Sequence, residues 1–125
     1  MTFVLDTNVL IDHLRRHDRA TEVIAGALRS GRRVTASVLS RVELRKGARP
    51  DQTSALEALE ALVEWVPVDH AIAGIAAEHA ERYGRFGDID VNDFVVAATA
   101  QRLDANLLTC DVDHFPMFPA LQPPY

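Results

Sequence analysis

Two acidic residues stand where predicted strands end. Asp6 closes the apolar run that begins at Thr2, and Asp111 follows the apolar run Leu107–Thr109 by one residue. Ligands of open parallel sheets bind in the crevice outside the carboxyl ends of the strands. We therefore expect both carboxylates to lie at one edge of a sheet, where they could act on a bound ligand.

Two further acids lie on predicted helices. Asp93 falls in the first turn of the most apolar helical segment, where a carboxylate either serves the helix end as a cap or dipole partner or acts as a ligand. Glu43 follows Leu39 by one turn, at the edge of the apolar arc of its helix, so it can lean towards the interior or face solvent among basic neighbours. The residues themselves leave both alternatives open.

Several carboxylates that meet in a packed domain need a cation, because like charges at close range repel each other. The sequence offers no obvious internal cation for these four acids, so a divalent metal is the simplest way to remove that cost. Ligation by oxygen atoms alone favours Mg²⁺ or Mn²⁺ over Zn²⁺. Such a site suits phosphodiester hydrolysis, in which one ion activates water and a second, roughly 4 Å away, stabilises the leaving oxygen.

The predicted elements alternate between strands and helices, which favours an α/β fold with helices on both faces of a central parallel sheet. Strands are expected at 2–6, 33–37, 65–68 and 107–109, and Pro67 favours a sheet edge for the third. Helices are expected at 7–16, from a cap at Asp18 to a stop at Gly31, at 38–46, from near Asp51 to 63 with a stripe of Leu56, Leu59, Leu62 and Val63, from a cap at Asp69 to about Tyr83, and at 92–103. We expect residues 1–125 to form one domain.

Composition and hydropathy favour a cytoplasmic protein with its own core. Apolar residues make up 48% of the chain, which is enough to bury a core at this length. There is no run of about 18 apolar residues and no basic stretch leading into an apolar signal region, so we expect neither membrane insertion nor export. The single cysteine, Cys110, cannot form an internal disulfide and is expected to be a small buried hydrophobe.

The net charge of −5 would argue against a polyanionic substrate, but the charges are sorted along the chain. Residues 1–50 hold ten Lys and Arg against five Asp and Glu, whereas residues 51–125 hold three against thirteen. The first half could therefore contact phosphates, or its basic residues could form an ordinary solvated surface. These residues are Arg15, Arg16 and Arg19, then Arg29, Arg32 and Arg33, then Arg41, Arg45, Lys46 and Arg49.

Four stretches of the sequence together resemble a known family. They are VLDTNVLID at Val4–Asp12, VELRKG at Val42–Gly47, VNDFVVAATA at Val91–Ala100 and LLTCDVDHF at Leu107–Phe115. These stretches look like the four signature blocks of PIN-domain proteins, and they occur in that family's order over essentially the whole chain. The length and the domain standing alone are similar to those of VapC toxins in VapBC toxin–antitoxin modules. The resemblance implies a PIN fold and endoribonuclease activity that depends on Mg²⁺ or Mn²⁺.

Carried over by position, the resemblance implies an acidic quartet that holds metal and a set of polar residues that supports it by hydrogen bonding. The quartet is Asp6, Glu43, Asp93 and Asp111, and the supporting residues are Thr7, Asn8 and Thr109. Glu43 would orient a second ion or the attacking water, while the three Asp residues would hold the main metal directly or through water. The fourth acid has an alternative, because many relatives carry Asn at the position of Asp111 and this chain offers Asp113 nearby.

The same resemblance implies an RNA substrate, a homodimer and an antitoxin whose tail covers the acidic cleft, often with a basic residue.

Two other classes of protein are alternatives to a metal-dependent nuclease. Aspartyl phosphatases also use an acid after the first strand, but they place a second Asp two residues later, where this chain has Asn8. A non-catalytic PIN-like module that only binds RNA or protein would have lost its acids, whereas this chain has all four.

None of the five histidines is predicted to act as a general base. His13 and His17 lie among arginines and could meet phosphate, and His70 and His79 share a predicted helix with acids. His114 lies between Asp113 and Phe115, without any spacing that suggests a role.

Overall fold

Short apolar segments pair as parallel strands in the computed structural model, which describes residues 1–85 and 87–125. The strands are β1 (Thr2–Leu5), β2 (Arg33–Ser37), β3 (Glu64–Val66) and β4 (Asn106–Leu108). They form one sheet in the order β3-β2-β1-β4, and each neighbouring pair is parallel. The predicted parallel sheet is therefore confirmed, and the third strand lies at an edge as expected, although it ends at Val66 and does not include Pro67 or Val68.

Helices connect the strands and cover both faces of the sheet. They are α1 (Thr7–Leu14), α2 (Asp18–Arg29), α3 (Val38–Gly47), α4 (Thr53–Leu62), α5 (His70–Tyr83) and α6 (Val91–Arg102), with 3₁₀ turns at Pro50–Gln52 and Val112–His114. No helix within residues 1–85 and 87–125 has the length and apolar character needed to cross a membrane.

Side chains of β1 alternate between two cores, as the two-residue period of a strand requires. Leu5 is fully buried and packs with residues of α1, α2, α3 and α4 on one face of the sheet. Val4 is fully buried on the other face, where it packs against Val96, Ala97 and Ala100 of α6. Helix α6 is buried from Asp93 to Ala100, so its packing against the sheet fixes the position of the helix.

Several predicted boundaries are wrong by a residue or two. The first helix ends at Leu14 rather than Arg16, because Arg16 adopts a left-handed backbone with φ of 61° that turns the chain towards α2. That tight turn also moves the next helix start, so His17 rather than Asp18 is the N-cap, and its side chain accepts from the backbone N–H of Ala20. Asp18 instead lies in the first turn, where its charge complements the helix dipole.

Three further predictions need correction. The fourth strand covers Asn106–Leu108, one residue earlier than expected, so Thr109 lies just beyond it. Leu62 is 52% exposed, whereas Val63, which follows the end of α4 in an extended conformation, packs in the core with Leu56 and Leu59. Cys110 is half-buried rather than buried, since the chain has already left the sheet at this point.

Candidate functional site

The register of the sheet places Asp6 beside Thr109. Leu5 of β1 pairs with Leu108 of β4, and the backbone N–H of Asp6 continues the ladder by donating to the Leu108 carbonyl at 2.9 Å. Asp6 also caps α1, because its Oδ1 accepts from the backbone N–H of Thr7 at 2.8 Å. The carboxylate therefore lies where a strand becomes a helix, at the carboxyl edge of the sheet, and it is only 4% exposed.

Hydrogen bonds from Asn8 and Thr109 fix the second oxygen of Asp6. Asn8 Nδ2 donates to Asp6 Oδ2 at 3.0 Å, and Thr109 Oγ1 donates to the same oxygen at 2.8 Å. The Asn8 amide is held in turn by the backbone N–H of Cys110, which donates to its Oδ1 at 3.1 Å. Thr7, Asn8 and Thr109, which the sequence indicated as supporting residues, thus all contact the acids or each other.

The structure brings Asp111, and not Asp113, to this network. Asn8 Nδ2 donates to Asp111 Oδ2 at 3.1 Å, and the Asp111 backbone N–H donates to Thr109 Oγ1 at 3.0 Å. Asp113 is exposed, and within the described residues its side chain forms no hydrogen bond to these groups. Asp111 is itself exposed, so it lies at the rim of the site and Asp6 at its floor.

Glu43 reaches the same edge from α3. Thr7 Oγ1 donates to Glu43 Oε1 at 2.7 Å, and Asn92 Nδ2 donates to the same oxygen. Asn92 lies in the first turn of α6, so the amide links α3 to the helix that carries Asp93. Asn92 was not indicated by the sequence, because the contact joins positions 49 residues apart.

Asp93 is 9% exposed and takes part in a reciprocal capping box at the start of α6. Its backbone N–H donates to Asp90 Oδ1 and the Asp90 backbone N–H donates to its Oδ2, both at 3.1 Å. The cap that the sequence allowed for Asp93 is therefore formed. It uses only one carboxylate oxygen, and the other remains available to a ligand.

Asp6, Glu43, Asp93 and Asp111 are called the acidic cluster below. Burial raises the pKa of Asp6, and the negative charges of Asp111 and Glu43 act in the same direction. Burial likewise raises the pKa of Asp93 to about 6, with the charges of Asp90 and Asp6 adding to the effect. The charges of the other acids therefore act on the two buried members, Asp6 and Asp93, although the four acids come from four separate segments of the chain.

A model described as the PIN domain matches residues 3–118 of the chain. The chain belongs to the PIN-domain family. The curated protein Ribonuclease VapC19 of Mycobacterium tuberculosis (strain ATCC 25618 / H37Rv) is 44% identical over 123 residues, which cover 98% of this chain and 98% of that protein.

Solved structures give the same fold for this PIN domain. A toxin–antitoxin complex from Klebsiella pneumoniae contains a chain that matches with a TM-score of 0.80 at 22% identity, covering 99% of this chain and 98% of that one. VapBC-1 from nontypeable Haemophilus influenzae matches with a TM-score of 0.76 at 26% identity, covering 98% of this chain and 96% of that one.

His114 is a neighbour of the acidic cluster that the sequence did not reveal. Its Nδ1 lies 3.2 Å from Asp93 Oδ2, and its side chain is 35% exposed. The short 3₁₀ turn that brings it there covers Val112–His114 and directly follows Asp111. An exposed turn after a strand gives no periodic signal, so only the three-dimensional structure identifies this contact.

The arginines of the PIN domain divide into paired and unpaired groups. Arg41 and Arg45 both bind Glu60, Arg33 binds Glu64, and Arg49 binds Asp51. Arg15, Arg16 and Arg19 are exposed and form no ion pair with another described residue. These arginines follow the carboxyl end of α1, whereas Asp6 caps its amino end. Because an eight-residue helix is about 12 Å long, the length of α1 separates the start of this basic segment from Asp6.

The acidic cluster is chemically suited to a hydrated divalent cation. Among residues 1–85 and 87–125, no Lys or Arg forms an ion pair with its members, and no three His, Cys, Asp or Glu side chains are close enough to enclose a metal by themselves. Water would therefore complete the coordination, which is how proteins commonly hold Mg²⁺. Asn92 Oδ1, buried beside Glu43 without a hydrogen-bond partner in the described chain, is an acceptor that such water could satisfy.

Proposed function

We propose that this PIN domain is an endoribonuclease that hydrolyses RNA phosphodiester bonds with the help of Mg²⁺ or Mn²⁺ bound at the acidic cluster. The observation that carries the proposal is the pair of buried carboxylates, Asp6 and Asp93, whose pKa values are raised and which no Lys or Arg of the described chain neutralises. The 44% identity to a protein named as a ribonuclease supports RNA as the substrate.

Each member of the acidic cluster has a role that fits its position. Asp6 and Asp93 are the buried members and would hold the main ion, with Asp111 acting on it through water from the rim. Glu43, held through one oxygen by Thr7 and Asn92, would orient a second ion or the attacking water through the other oxygen. The cation would lower the pKa of water and stabilise the charge that develops on the leaving oxygen.

The neutral side chains of the site orient the carboxylates. Thr7, Asn8 and Thr109 donate hydrogen bonds without bringing a positive charge that would compete with the cation. At Asp6, the hydrogen bond from Thr109 favours the ionised form and so opposes the effect of burial on the pKa. These residues therefore act on the geometry of the acids and not on the RNA.

We further propose that the protein is the toxin of a toxin–antitoxin pair and that its antitoxin covers the acidic cluster with a basic residue. Exposed apolar side chains next to the acids support a partner surface: Val42 is 65% exposed beside Glu43, and Val91 is 73% exposed near Asp93. A second copy of the chain would use the same kind of surface to form a dimer. Size-exclusion chromatography with light scattering, with and without the co-expressed antitoxin, measures both associations.

A nuclease assay tests the proposed function. The protein is incubated with RNA in excess chelator, and then with added Mg²⁺ or Mn²⁺, beside the Asp93→Asn variant. Cleavage by the wild type only in the presence of the ion, and its loss in the variant, is the expected result. Binding of RNA without metal-dependent cleavage would instead identify a non-catalytic module.

Crystals soaked in Mn²⁺ test the site assignment separately. The ion is expected within direct ligand range of Asp6 and Asp93. An ion bound elsewhere, with these two side chains pointing apart, would reject the acidic cluster as the metal site.

A further inference from the structure

The contact between His114 and Asp93 results from the geometry of one short turn. The backbone N–H of His114 donates to the Asp111 carbonyl at 2.9 Å, which is an i to i+3 bond. At the two ends of this bond, the side chain of Asp111 accepts from Asn8 and the imidazole of His114 lies against Asp93. Asp113 between them faces solvent.

The position of this turn is fixed by the next residue. Phe115 is 1% exposed and packs with Val4, Val96 and Ala97 in the core beneath α6. Since Asp93 belongs to the same helix, the imidazole and the carboxylate are held by one packed unit. The contact between them is therefore set by the core rather than by a mobile surface side chain.

The two carboxylate oxygens of Asp93 differ in their hydrogen bonds. Oδ2 accepts from the backbone N–H of Asp90 at 3.1 Å and lies 3.2 Å from His114 Nδ1, which is a donor when it carries the ring proton. Oδ1 has no hydrogen-bond partner among the described residues. A carboxylate fixed at one oxygen by two donors presents the other oxygen in a single orientation.

We infer that His114 is a positioning residue, whose Nδ1–H holds Asp93 Oδ2 so that Asp93 Oδ1 is oriented to bind the cation. This inference rests on the proposed function, because it assigns a role towards the same cation. Groups that orient metal ligands by hydrogen bonding change metal affinity or activity by about 10–100-fold when they are removed. Nothing in the role requires His114 to contact the RNA or the reacting atoms.

Three substitutions separate positioning from general structural support. His114→Asn places an amide N–H where the ring has Nδ1, His114→Gln moves the amide one bond further out, and His114→Ala removes the donor. The exposed neighbour Asp113 provides a matched control as Asp113→Asn. The readout is the rise in melting temperature as a function of Mn²⁺ concentration, measured beside Mn²⁺-dependent RNA cleavage, with circular dichroism in chelator to verify folding.

His114→Ala and His114→Gln are expected to need about 10–100-fold more Mn²⁺ for the half-maximal melting shift, and cleavage should follow the same Mn²⁺ dependence. His114→Asn should stay close to the wild type, as should Asp113→Asn. A wild-type response in His114→Ala, or equal responses of the Asn and Gln variants, would overturn the inference. If His114→Ala does not fold, the comparison of Asn with Gln decides alone. A wild type that neither binds Mn²⁺ nor cleaves RNA would instead overturn the proposed function.

Discussion

Buried carboxylates are treated in opposite ways in two regions of this molecule. The Glu60 side chain is 8% exposed, and hydrogen bonds from Arg45 and Arg41 hold its pKa below the usual range. In the acidic cluster, Asp6 and Asp93 are similarly inaccessible, but they face other acids and their pKa values are raised. The first region carries its own counter-charges, whereas the second does not.

This difference separates a structural ion pair from a site that, in our proposal, binds an external cation. The chain has arginines on α3 close to Glu43, yet these side chains turn to Glu60. The only ionisable base that the described structure brings into contact with the acidic cluster is the imidazole of His114. The repulsion that remains is a cost to folding that a bound divalent ion would remove.

The largest expected contrast concerns catalysis. Asp93→Asn should lower the RNA cleavage rate by more than about 100-fold, which is the upper range for groups that only orient a ligand. Glu60→Gln should leave the rate nearly unchanged, because its partners lie outside the acidic cluster. Single-turnover cleavage at saturating Mg²⁺ measures both variants, and equal losses in the two would erase the distinction between the regions.

Substitution of Asp111, at the rim of the acidic cluster, should reduce RNA cleavage less than substitution of the buried Asp93. Asp111→Asn removes a charge that Asn8 holds near Asp6, and we expect cleavage to fall by about 10–100-fold. Asp113→Asn changes the same charge on the same turn without a contact to the cluster, so cleavage should not change. If Asp113→Asn is the more damaging of the two in the same assay, the fourth acid has been misassigned.

In chelator, the contributions of Asp93 and Glu60 to the free energy of unfolding should change with pH in opposite directions. Asp93 has a folded pKa of about 6 and an unfolded value of about 3.9, so its folded form binds more protons and the wild type loses stability as pH rises from about 4 to about 6. At roughly 1.4 kcal/mol per pKa unit, the loss is at most about 3 kcal/mol. Asp93→Asn should remove this loss.

The pKa of Glu60 is lower in the folded protein than in the unfolded chain, where it is about 4.3. The stability that Glu60 contributes is therefore present above that pH and is lost as pH falls. Glu60→Gln should therefore destabilise the protein by roughly 0.2–1 kcal/mol near neutral pH and by less in acid. Urea unfolding of the three proteins across this pH range gives the comparison. If the free energy of unfolding changes with pH in the same way in all three proteins, the opposite roles of Asp93 and Glu60 are contradicted.

The smallest effect is expected for the arginines. Replacing Arg15, Arg16 and Arg19 by alanine should weaken RNA binding and make it less dependent on salt. The slope of log K against log salt concentration should become shallower by up to about 2, because each phosphate contact on a single strand contributes roughly 0.7. Replacing Arg33, which is paired with Glu64, should leave the slope unchanged. Binding titrations at several salt concentrations measure both, and identical slopes would assign the three arginines to a solvated surface.

Much of this arrangement could be predicted from sequence. The end of an apolar run located Asp6, and the carboxyl edge of a parallel sheet explained why Asp111 should lie near it. The position of Asp93 in the first turn of the most apolar helical segment allowed the capping role that the structure shows. These predictions succeed because they depend on local patterns and on the general geometry of parallel sheets.

The parts that could not be predicted depend on contacts between distant segments. His114 meets Asp93 only because a 3₁₀ turn and the anchor at Phe115 bring the two together. The amide of Asn92 meets Glu43 through the packing of α6 against the rest of the fold. The pairing of the α3 arginines with Glu60 likewise depends on how two helices pack, so the sequence left these arginines as candidates for phosphate contacts.

The central claim is that the acidic cluster lacks a counter-charge until a divalent ion binds. Melting curves of the wild type and of Asp93→Asn, each in chelator and in excess Mg²⁺, test it most directly. In chelator the variant should melt at or above the wild-type temperature, because one of the repelling charges is gone. Mg²⁺ should then raise the melting temperature of the wild type much more than that of the variant. Equal Mg²⁺ shifts in both proteins, or a variant that is less stable than the wild type in chelator, would contradict the account.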